Sequence, residues 1–211
     1  MNAPDLRLIV ITDASLALPR TVADVVAVAL GQGAPCIQLR DKNANARELF
    51  DQAKALLPLV RAHGASLIIN DRLDIALLAG ADGVHLGPDD LPVADARRIA
   101  PAPFIIGHST DDPAAARQAE RDGASYIGCG AVFGTTSKPD AGDESIGVGR
   151  LDEVARAVRI PVVGIGGITT NNVALVAGTA AAGAAVIGAI MTARDTASAV
   201  RSLLAPFDAR A

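Results

Sequence analysis

With 211 residues, the chain is long enough for one domain with a large core, so we expect a single domain over residues 1–211. Half of the residues are hydrophobic, only 2% are aromatic, and the net charge is -4, which excludes a basic nucleic-acid-binding surface. The sequence has neither an apolar run of membrane-spanning length nor a secretory signal at its start, and we expect a cytoplasmic protein without membrane partners.

Eight short apolar runs follow one another along the chain, and each is typical of a strand buried on both faces. They cover residues 8–12, 36–39, 67–69, 83–86, 104–107, 126–129, 162–165 and 184–188. The segments between them have helical spacing, and some begin with a capping signal, such as Thr21 with Asp24, Asn45 with Glu48, or Asp112 before Pro113. Eight strand and helix units in alternation predict an α/β fold, a closed (β/α)₈ or TIM barrel.

Individual prolines, cysteines and glycines lead to further predictions. Pro58 predicts a kink or an early end of its helix, and residues 131–149 predict a mobile loop after the sixth strand. Cys36 and Cys129 lie in separate apolar runs, so we expect buried thiols and no disulfide. Glycines that follow helical stretches are expected in the left-handed conformation that ends a helix, at positions 31, 64, 80, 123 and 183.

Polar residues follow the second strand, where the loops of a parallel barrel form the active face. Arg40 offers a planar fork for a diphosphate, and Lys42 offers a compact ammonium group. Gln38, inside the strand, can both donate and accept a hydrogen bond towards a heterocycle. This motif predicts an anion-binding site, with a solvated loop as the alternative.

Carboxylates follow the third and fourth strands. Neighbouring strand ends place Asp71 opposite Asp89 and Asp90, and two carboxylates with open positions for water and phosphate suit Mg²⁺. Alternatively, Asp71 and Asp90 are N-caps of the helices that follow. His85 alternates with apolar neighbours, and we expect a buried histidine with satisfied hydrogen bonds rather than a catalytic base.

Hydroxyl groups and glycines follow the remaining strands. Ser109 ends the fifth strand. The run of Thr135, Thr136, Ser137 and Lys138 predicts either a second phosphate-binding site or an exposed turn. The glycine-rich stretch 164–168 and the Ile187-Gly188 pair predict a phosphate cradle after the last two strands.

Over residues 8 to about 204, the sequence resembles the thiamine-phosphate synthase family. The matching blocks are Gln38-Leu39-Arg40-Asp41-Lys42, Ile69-Asn70-Asp71-Arg72, residues 81–87, Ser109-Thr110, residues 130–138 and Gly164-Ile165-Gly166-Gly167-Ile168. The resemblance implies a Mg²⁺-dependent transferase. It would join 4-amino-2-methyl-5-pyrimidinylmethyl diphosphate to hydroxyethylthiazole phosphate by a dissociative route and release diphosphate.

The resemblance also implies a role for individual residues. Asp71 and Asp90 would bind Mg²⁺, and Gly188 stands where the family usually has serine. The catalytic group would be Arg40, Lys42, Ser109 and Lys138. The pyrimidine diphosphate site would comprise Gln38, Arg40, Lys42, Asn70, Ser109 and Lys138, and the thiazole phosphate site Thr135, Thr136, Ser137, Gly167, Ile187 and Gly188. Leu39 and Asp41 would be further substrate-binding residues.

Other functions on the same fold stay open at this point. A thiazole tautomerase-like isomerase resembles the chain, but that relative places a histidine where this sequence has Ala131 and lacks the carboxylate pair. A sugar-phosphate epimerase or aldolase would need paired acid-base groups or a lysine at the inner end of a strand, whereas Lys138 is expected in a loop. A non-catalytic phosphate-binding barrel would need neither the metal pair nor a second anion site. The expected partners are small-molecule substrates, and a homodimer is compatible with the sequence.

Overall fold

The computed structural model describes residues 4–134 and 145–210. In these residues, eight parallel strands close into a barrel in chain order, with β8 pairing β1, which confirms the predicted (β/α)₈ barrel. The strands are β1 (Leu8–Ile11), β2 (Cys36–Leu39), β3 (Ser66–Asn70), β4 (Gly83–Leu86), β5 (Ile105–Ser109), β6 (Tyr126–Cys129), β7 (Val162–Ile165) and β8 (Gly183–Val186).

Helices surround the barrel, and several of them begin at a residue whose side chain caps the helix. Thr21 and Asn45 form complete capping boxes, and the Asp112 carboxylate accepts the backbone N–H groups of Ala114 and Ala115. In the described residues the helices are α1 (Ala14–Ala17), α2 (Val22–Gly31), α3 (Ala46–Ala62), α4 (Leu73–Ala79), α5 (Val93–Ile99), α6 (Pro113–Arg121), α7 (Gly147–Ala157), α8 (Val173–Ala177), α9 (Gly188–Met191) and α10 (Thr196–Asp208).

The structure corrects three expectations about breaks in the chain. Helix α3 continues past Pro58 to Ala62, so the proline does not end it early. Helix α7 begins at Gly147, so the loop expected up to residue 149 ends sooner; residues 135–144 of that loop lie outside the described residues. Gly31 is the last residue of α2, and the left-handed glycine there is Gly33, with φ 87°.

Gly183 begins β8 rather than ending a helix, and its φ is not among the positive values. A Cβ at this position would collide with the carbonyl group of Leu6 and would lie 2.8 Å from Cα of Arg7. Glycine therefore allows the close approach of β8 to the segment leading into β1, where the barrel closes.

The core lies inside the barrel and between the barrel and its helices. Aliphatic side chains such as Ile37, Ile68 and Ile106 are fully buried, as expected for strands covered on both faces. The barrel interior also contains three polar side chains, Gln38, His85 and Tyr126. Among the described residues, none of the helices combines the length and the hydropathy needed to cross a bilayer.

The two cysteines are free and fully buried, as expected. Burial raises the pKa of the Cys129 thiol to about 12 and raises the pKa of Cys36 as well, so neither forms the reactive thiolate at neutral pH. We predict that a colorimetric thiol reagent at pH 8 modifies neither cysteine of the native protein and modifies both in guanidinium chloride. Rapid modification of the native protein would show that β2 or β6 opens readily.

Candidate active site

A cavity of about 770 Å³ opens at the carboxyl ends of the strands, the face predicted to carry the site. It is lined by residues that follow at least six of the eight strands. Seven of the predicted site residues line it: Arg40, Lys42, Asn70, Ser109, Gly167, Ile187 and Gly188. The barrel therefore brings the two groups of predicted anion-binding residues together around one space.

Arg40 is held at the cavity by residues that follow β1. The buried Thr12 hydroxyl accepts the Arg40 backbone N–H at 2.9 Å and donates to the Arg40 carbonyl at 3.1 Å. The Asp13 carboxylate lies 3.8 Å from the Arg40 guanidinium and also caps α1. The sequence analysis missed Thr12 and Asp13, although they follow a strand as the other candidates do.

Lys42, Asp71 and Asp90 form a charged group at the rim. The Lys42 ammonium lies 2.8 Å from Oδ2 of Asp71, and the carboxyl group of Asp71 lies near enough to that of Asp90 to raise its pKa. The Gly87 N–H donates to Oδ2 of Asp90 at 2.7 Å. Neither carboxylate caps a helix, because α4 and α5 begin at residues without a side-chain cap, and the capping alternative is wrong.

The pKa of the Asp90 carboxyl is raised in this arrangement. Burial raises its pKa, and the nearby Asp71 carboxyl raises it further, while the Gly87 N–H acts in the opposite direction. Two adjacent carboxylates of this kind fit Mg²⁺, a hard cation that takes oxygen ligands and would offset their mutual repulsion. In the described part of the chain, no group of three or more His, Cys, Asp or Glu side chains is placed to hold a metal.

Three further predicted residues are not part of the cavity lining. Leu39 is fully buried in the core, and Gln38 is buried below the cavity, beside Tyr126. The Asp41 carboxylate accepts a hydrogen bond from Gln52, which lowers its pKa, and two more from the backbone N–H groups of Asn43 and Ala44. Asp41 thus shapes the loop that carries Lys42.

His85 has the hydrogen-bonded, buried environment that the sequence led us to expect. Its Nδ1 lies 2.8 Å from the Tyr126 hydroxyl, and its Nε2 lies 2.8 Å from Oγ of Ser109. The sequence analysis read Tyr126 only as part of an apolar strand and did not assign it to the site. Its position in β6 gave no sign that its hydroxyl meets a histidine on β4.

The glycine-rich turn after β7 forms a wall of the cavity. Gly166 and Gly167 have φ values of 96° and 62°, and a Cβ on Gly167 would lie 2.8 Å from the Phe133 carbonyl oxygen. Asn172 fixes the turn, because its Nδ2 donates to the Gly167 carbonyl at 2.9 Å and its Oδ1 accepts the Thr169 N–H at 2.7 Å. Glycine at position 167 therefore allows the turn to approach the backbone of Phe133 closely.

The segment after β8 completes the cavity. The eighth strand was expected to extend to residue 188, but it ends at Val186, and Gly188 begins the short helix α9 directly after Ile187. Both residues line the cavity beside the β7 turn. The predicted second phosphate-binding site of Thr135, Thr136, Ser137 and Lys138 lies outside the described residues.

Comparison with known proteins identifies the family. The model of the thiamine monophosphate synthase family matches residues 8–190. A thiamine-phosphate synthase of Roseiflexus castenholzii is 51% identical over 194 residues, covering 92% of this chain and 85% of the relative. A thiamine-phosphate synthase of Methanoculleus marisnigri is 47% identical, covering 93% of this chain and 92% of the relative.

Solved structures agree with this assignment. The structure of a thiamine phosphate pyrophosphorylase from Pyrococcus furiosus superposes with a TM-score of 0.88 at 41% identity, covering 98% of this chain and 97% of that one. A 3-hexulose-6-phosphate synthase from Salmonella typhimurium, at 20% identity and a TM-score of 0.75, shares the fold. From the family match and these relatives, we conclude that the chain belongs to the thiamine monophosphate synthase family.

Proposed function

We propose that this chain is a thiamine-phosphate synthase, a transferase. It joins the pyrimidinylmethyl group of 4-amino-2-methyl-5-pyrimidinylmethyl diphosphate to the nitrogen of hydroxyethylthiazole phosphate, and it releases diphosphate. The observation that carries the proposal is the cavity itself. Arg40 and Lys42 line it together with the Gly167 turn, and Lys42 pairs with Asp71, whose carboxyl lies near that of Asp90. Such a space suits two phosphorylated substrates at once.

The proposed reaction needs no general base from the protein. The bond between the methylene carbon and the diphosphate oxygen breaks with both electrons going to oxygen, and the lone pair of the thiazole nitrogen forms the new bond. Arg40 and Lys42 hold the departing diphosphate and stabilise the charge it gains. The barrel also aligns the two reactants in one cavity, which removes much of the entropic cost of their encounter.

Asp71 and Asp90 are the residues that would hold Mg²⁺. Once bound there, the ion would act as a Lewis acid towards the diphosphate oxygens. The proximity of the two carboxyl groups supports this assignment, because two adjacent carboxylates are otherwise costly to keep ionised. Lys42 binds Asp71 in the structure, so its ammonium lies close to the place where metal and diphosphate would meet.

The second phosphate group is proposed to bind at the opposite wall. Gly167, Ile187 and Gly188 line the cavity there, and open backbone beside the start of a helix after β8 is a common phosphate site in this fold. Thr135, Thr136 and Ser137 are proposed for the same group, and Lys138 for the diphosphate. We place the protein in the cytoplasm, a compartment in which the unpaired Cys36 and Cys129 would stay reduced.

Neither alternative gains support from an observation. A tautomerase-like isomerase needs a proton shuttle, and Ala131 lines the cavity at the position where that relative has histidine. A barrel that only senses a phosphorylated ligand would need neither the carboxylate pair nor a second anion site. Both alternatives predict that no new carbon–nitrogen bond is made.

The direct test is to incubate the purified protein with both phosphorylated substrates, with and without Mg²⁺, and to separate the products. We expect thiamine phosphate and inorganic diphosphate in equal amounts, with Mg²⁺ required. Isomerised thiazole phosphate without thiamine phosphate would favour the tautomerase alternative. Binding of both substrates without any product would favour the sensing barrel.

A further inference from the structure

A chain of hydrogen-bonded side chains crosses the barrel interior beneath the cavity. It runs from the Tyr126 hydroxyl to Nδ1 of His85, and from Nε2 of His85 to Ser109, with both His85 contacts at 2.8 Å. The Gln38 amide lies beside the Tyr126 hydroxyl and acts to lower its pKa. We call these four residues the polar chain. Ser109 lines the main cavity, while Gln38 opens on a chamber of about 10 Å³ that shares Gly128 and Ile165 with it.

The barrel is built to make room for the polar chain. A Cβ on Gly107 would overlap the Tyr126 ring and lie 2.5 Å from Nδ1 of His85. A Cβ on Gly128 would lie 3.0 Å from Cε1 of His85 and 3.7 Å from Oγ of Ser109. Two glycines on adjacent strands therefore leave the space that the rings occupy, although larger aliphatic side chains would fill a barrel interior at lower polar cost.

The direction of each hydrogen bond in the polar chain depends on its neighbours. If the Tyr126 hydroxyl donates to Nδ1, a neutral His85 carries its proton on Nε2 and donates to Ser109, whose own hydrogen then points to the cavity. If Tyr126 instead donates to the oxygen of Gln38, His85 donates from Nδ1, and Ser109 donates to Nε2. In that state Ser109 presents only lone pairs to the cavity.

Tyr126 is suited to this task because it stays protonated. Burial raises its pKa well above the ordinary value, and a buried phenol must place its single proton on one of its two partners. The choice made at Tyr126 is therefore transmitted to Ser109 through the ring of His85. The two ends of the polar chain therefore change together: when Ser109 presents a hydrogen-bond donor, Gln38 presents an acceptor, and the reverse.

We propose that His85 and Tyr126 are positioning residues that set whether the Ser109 hydroxyl donates or accepts a hydrogen bond at the floor of the cavity. The ligand class that fits is a heterocycle carrying both a donor and an acceptor, and this part of the inference rests on the proposed function. Neither residue touches the reacting atoms, and each acts through Ser109.

A double-mutant cycle on Tyr126→Phe and Ser109→Ala tests the kinetic consequence. Removing the phenol oxygen leaves the ring in place, and we expect kcat/KM for the pyrimidine diphosphate to fall roughly tenfold, as for a lost hydrogen bond that leaves a partner unsatisfied. In the Ser109→Ala background, the same change should have almost no further effect. An unchanged kcat/KM in the single variant, or the same loss in both backgrounds, would overturn the proposal.

Thr179→Val provides a control for the loss of a buried hydroxyl. Thr179 is buried and donates to the Val176 carbonyl at 2.7 Å, before β8 and thus at the end of the barrel opposite the cavity. We expect this variant to have a lower Tm and an unchanged kcat/KM. A Tyr126→Phe variant that merely loses stability would behave in the same way.

A spectroscopic measurement does not depend on turnover. Tyr126 is the only tyrosine of the chain, so protein labelled with ¹³C at the tyrosine Cζ gives a single tyrosine resonance. We expect Ser109→Ala to shift this resonance in the free protein, whereas Thr110→Ala, one residue away, leaves it in place. A resonance that Ser109→Ala does not move would overturn the proposal even if thiamine phosphate is made. A shifted resonance without thiamine phosphate would contradict the proposed function and leave the coupling standing.

Discussion

Replacement of Asp71 by asparagine is expected to lower kcat roughly 100-fold or more, because the proposed metal site loses one of its two carboxylates. Asparagine has nearly the same shape, and it also tolerates the left-handed conformation that Asp71 adopts at φ 63°. The variant should therefore fold like the wild type. Initial rates measured across a range of Mg²⁺ concentrations, together with Tm, test this expectation.

Asp74→Asn is the matched control for this variant. Asp74 lies three residues away in the first turn of α4, where its exposed carboxylate binds Arg72. The same chemical change at this position should leave both kcat and the Mg²⁺ dependence as they are in the wild type. If Asp71→Asn retained wild-type rates at low Mg²⁺, Asp71 would be removed from the metal site.

Replacement of Arg40 by alanine is also expected to lower activity strongly. Its side chain is only 12% exposed; Thr12 holds its backbone, and the Asp13 carboxylate lies 3.8 Å from its guanidinium. We expect kcat/KM for the pyrimidine diphosphate to fall by about 100-fold, the typical cost of losing one preorganised donor to a developing charge. The KM for the thiazole phosphate should change little, because that group is proposed to bind across the cavity.

Two further variants make the Arg40 result specific. Arg40→Lys keeps the charge but loses the planar fork, and its activity should fall between those of alanine and arginine. Arg47→Ala removes an arginine that is 84% exposed and pairs with Asp51 on the surface of α3, and it should have wild-type kinetics. Equal kinetics of Arg40→Ala and Arg47→Ala would show that Arg40 does not bind the diphosphate.

Much of the fold follows from local signals in the sequence. The apolar runs, the capping pairs at Thr21 and Asn45, and the proline after Asp112 predict both the elements and their alternation. Errors arose where a residue's role depends on distant parts of the chain. The local pattern around Gly183 predicts a helix end. In the structure, glycine is needed there because a Cβ would collide with the backbone of Leu6, and no local pattern indicates that contact.

The candidate site shows the same division. The proximity of Asp71 and Asp90 could be predicted because each follows a strand, and strand ends meet at one face of a barrel; their role as metal ligands stays a prediction. Thr12 and Asp13 also lie at the end of a strand, but they lack the run of charged residues that marks the segment after β2. Tyr126 could not be predicted, because its function depends on which side chain of β4 faces it across the interior, and the sequence alone does not determine this pairing.

The central claim is that the protein stabilises a departing diphosphate while the methylene carbon becomes cationic. The most direct measurement is the isotope effect on single-turnover formation of thiamine phosphate when that methylene carries two deuterium atoms. It should be made in the wild type and in Arg40→Ala, in which the slowed ionisation becomes rate-limiting. We predict a normal isotope effect clearly above unity in the variant. A value at or below unity in both proteins, with thiamine phosphate still formed, would show direct displacement and contradict the account.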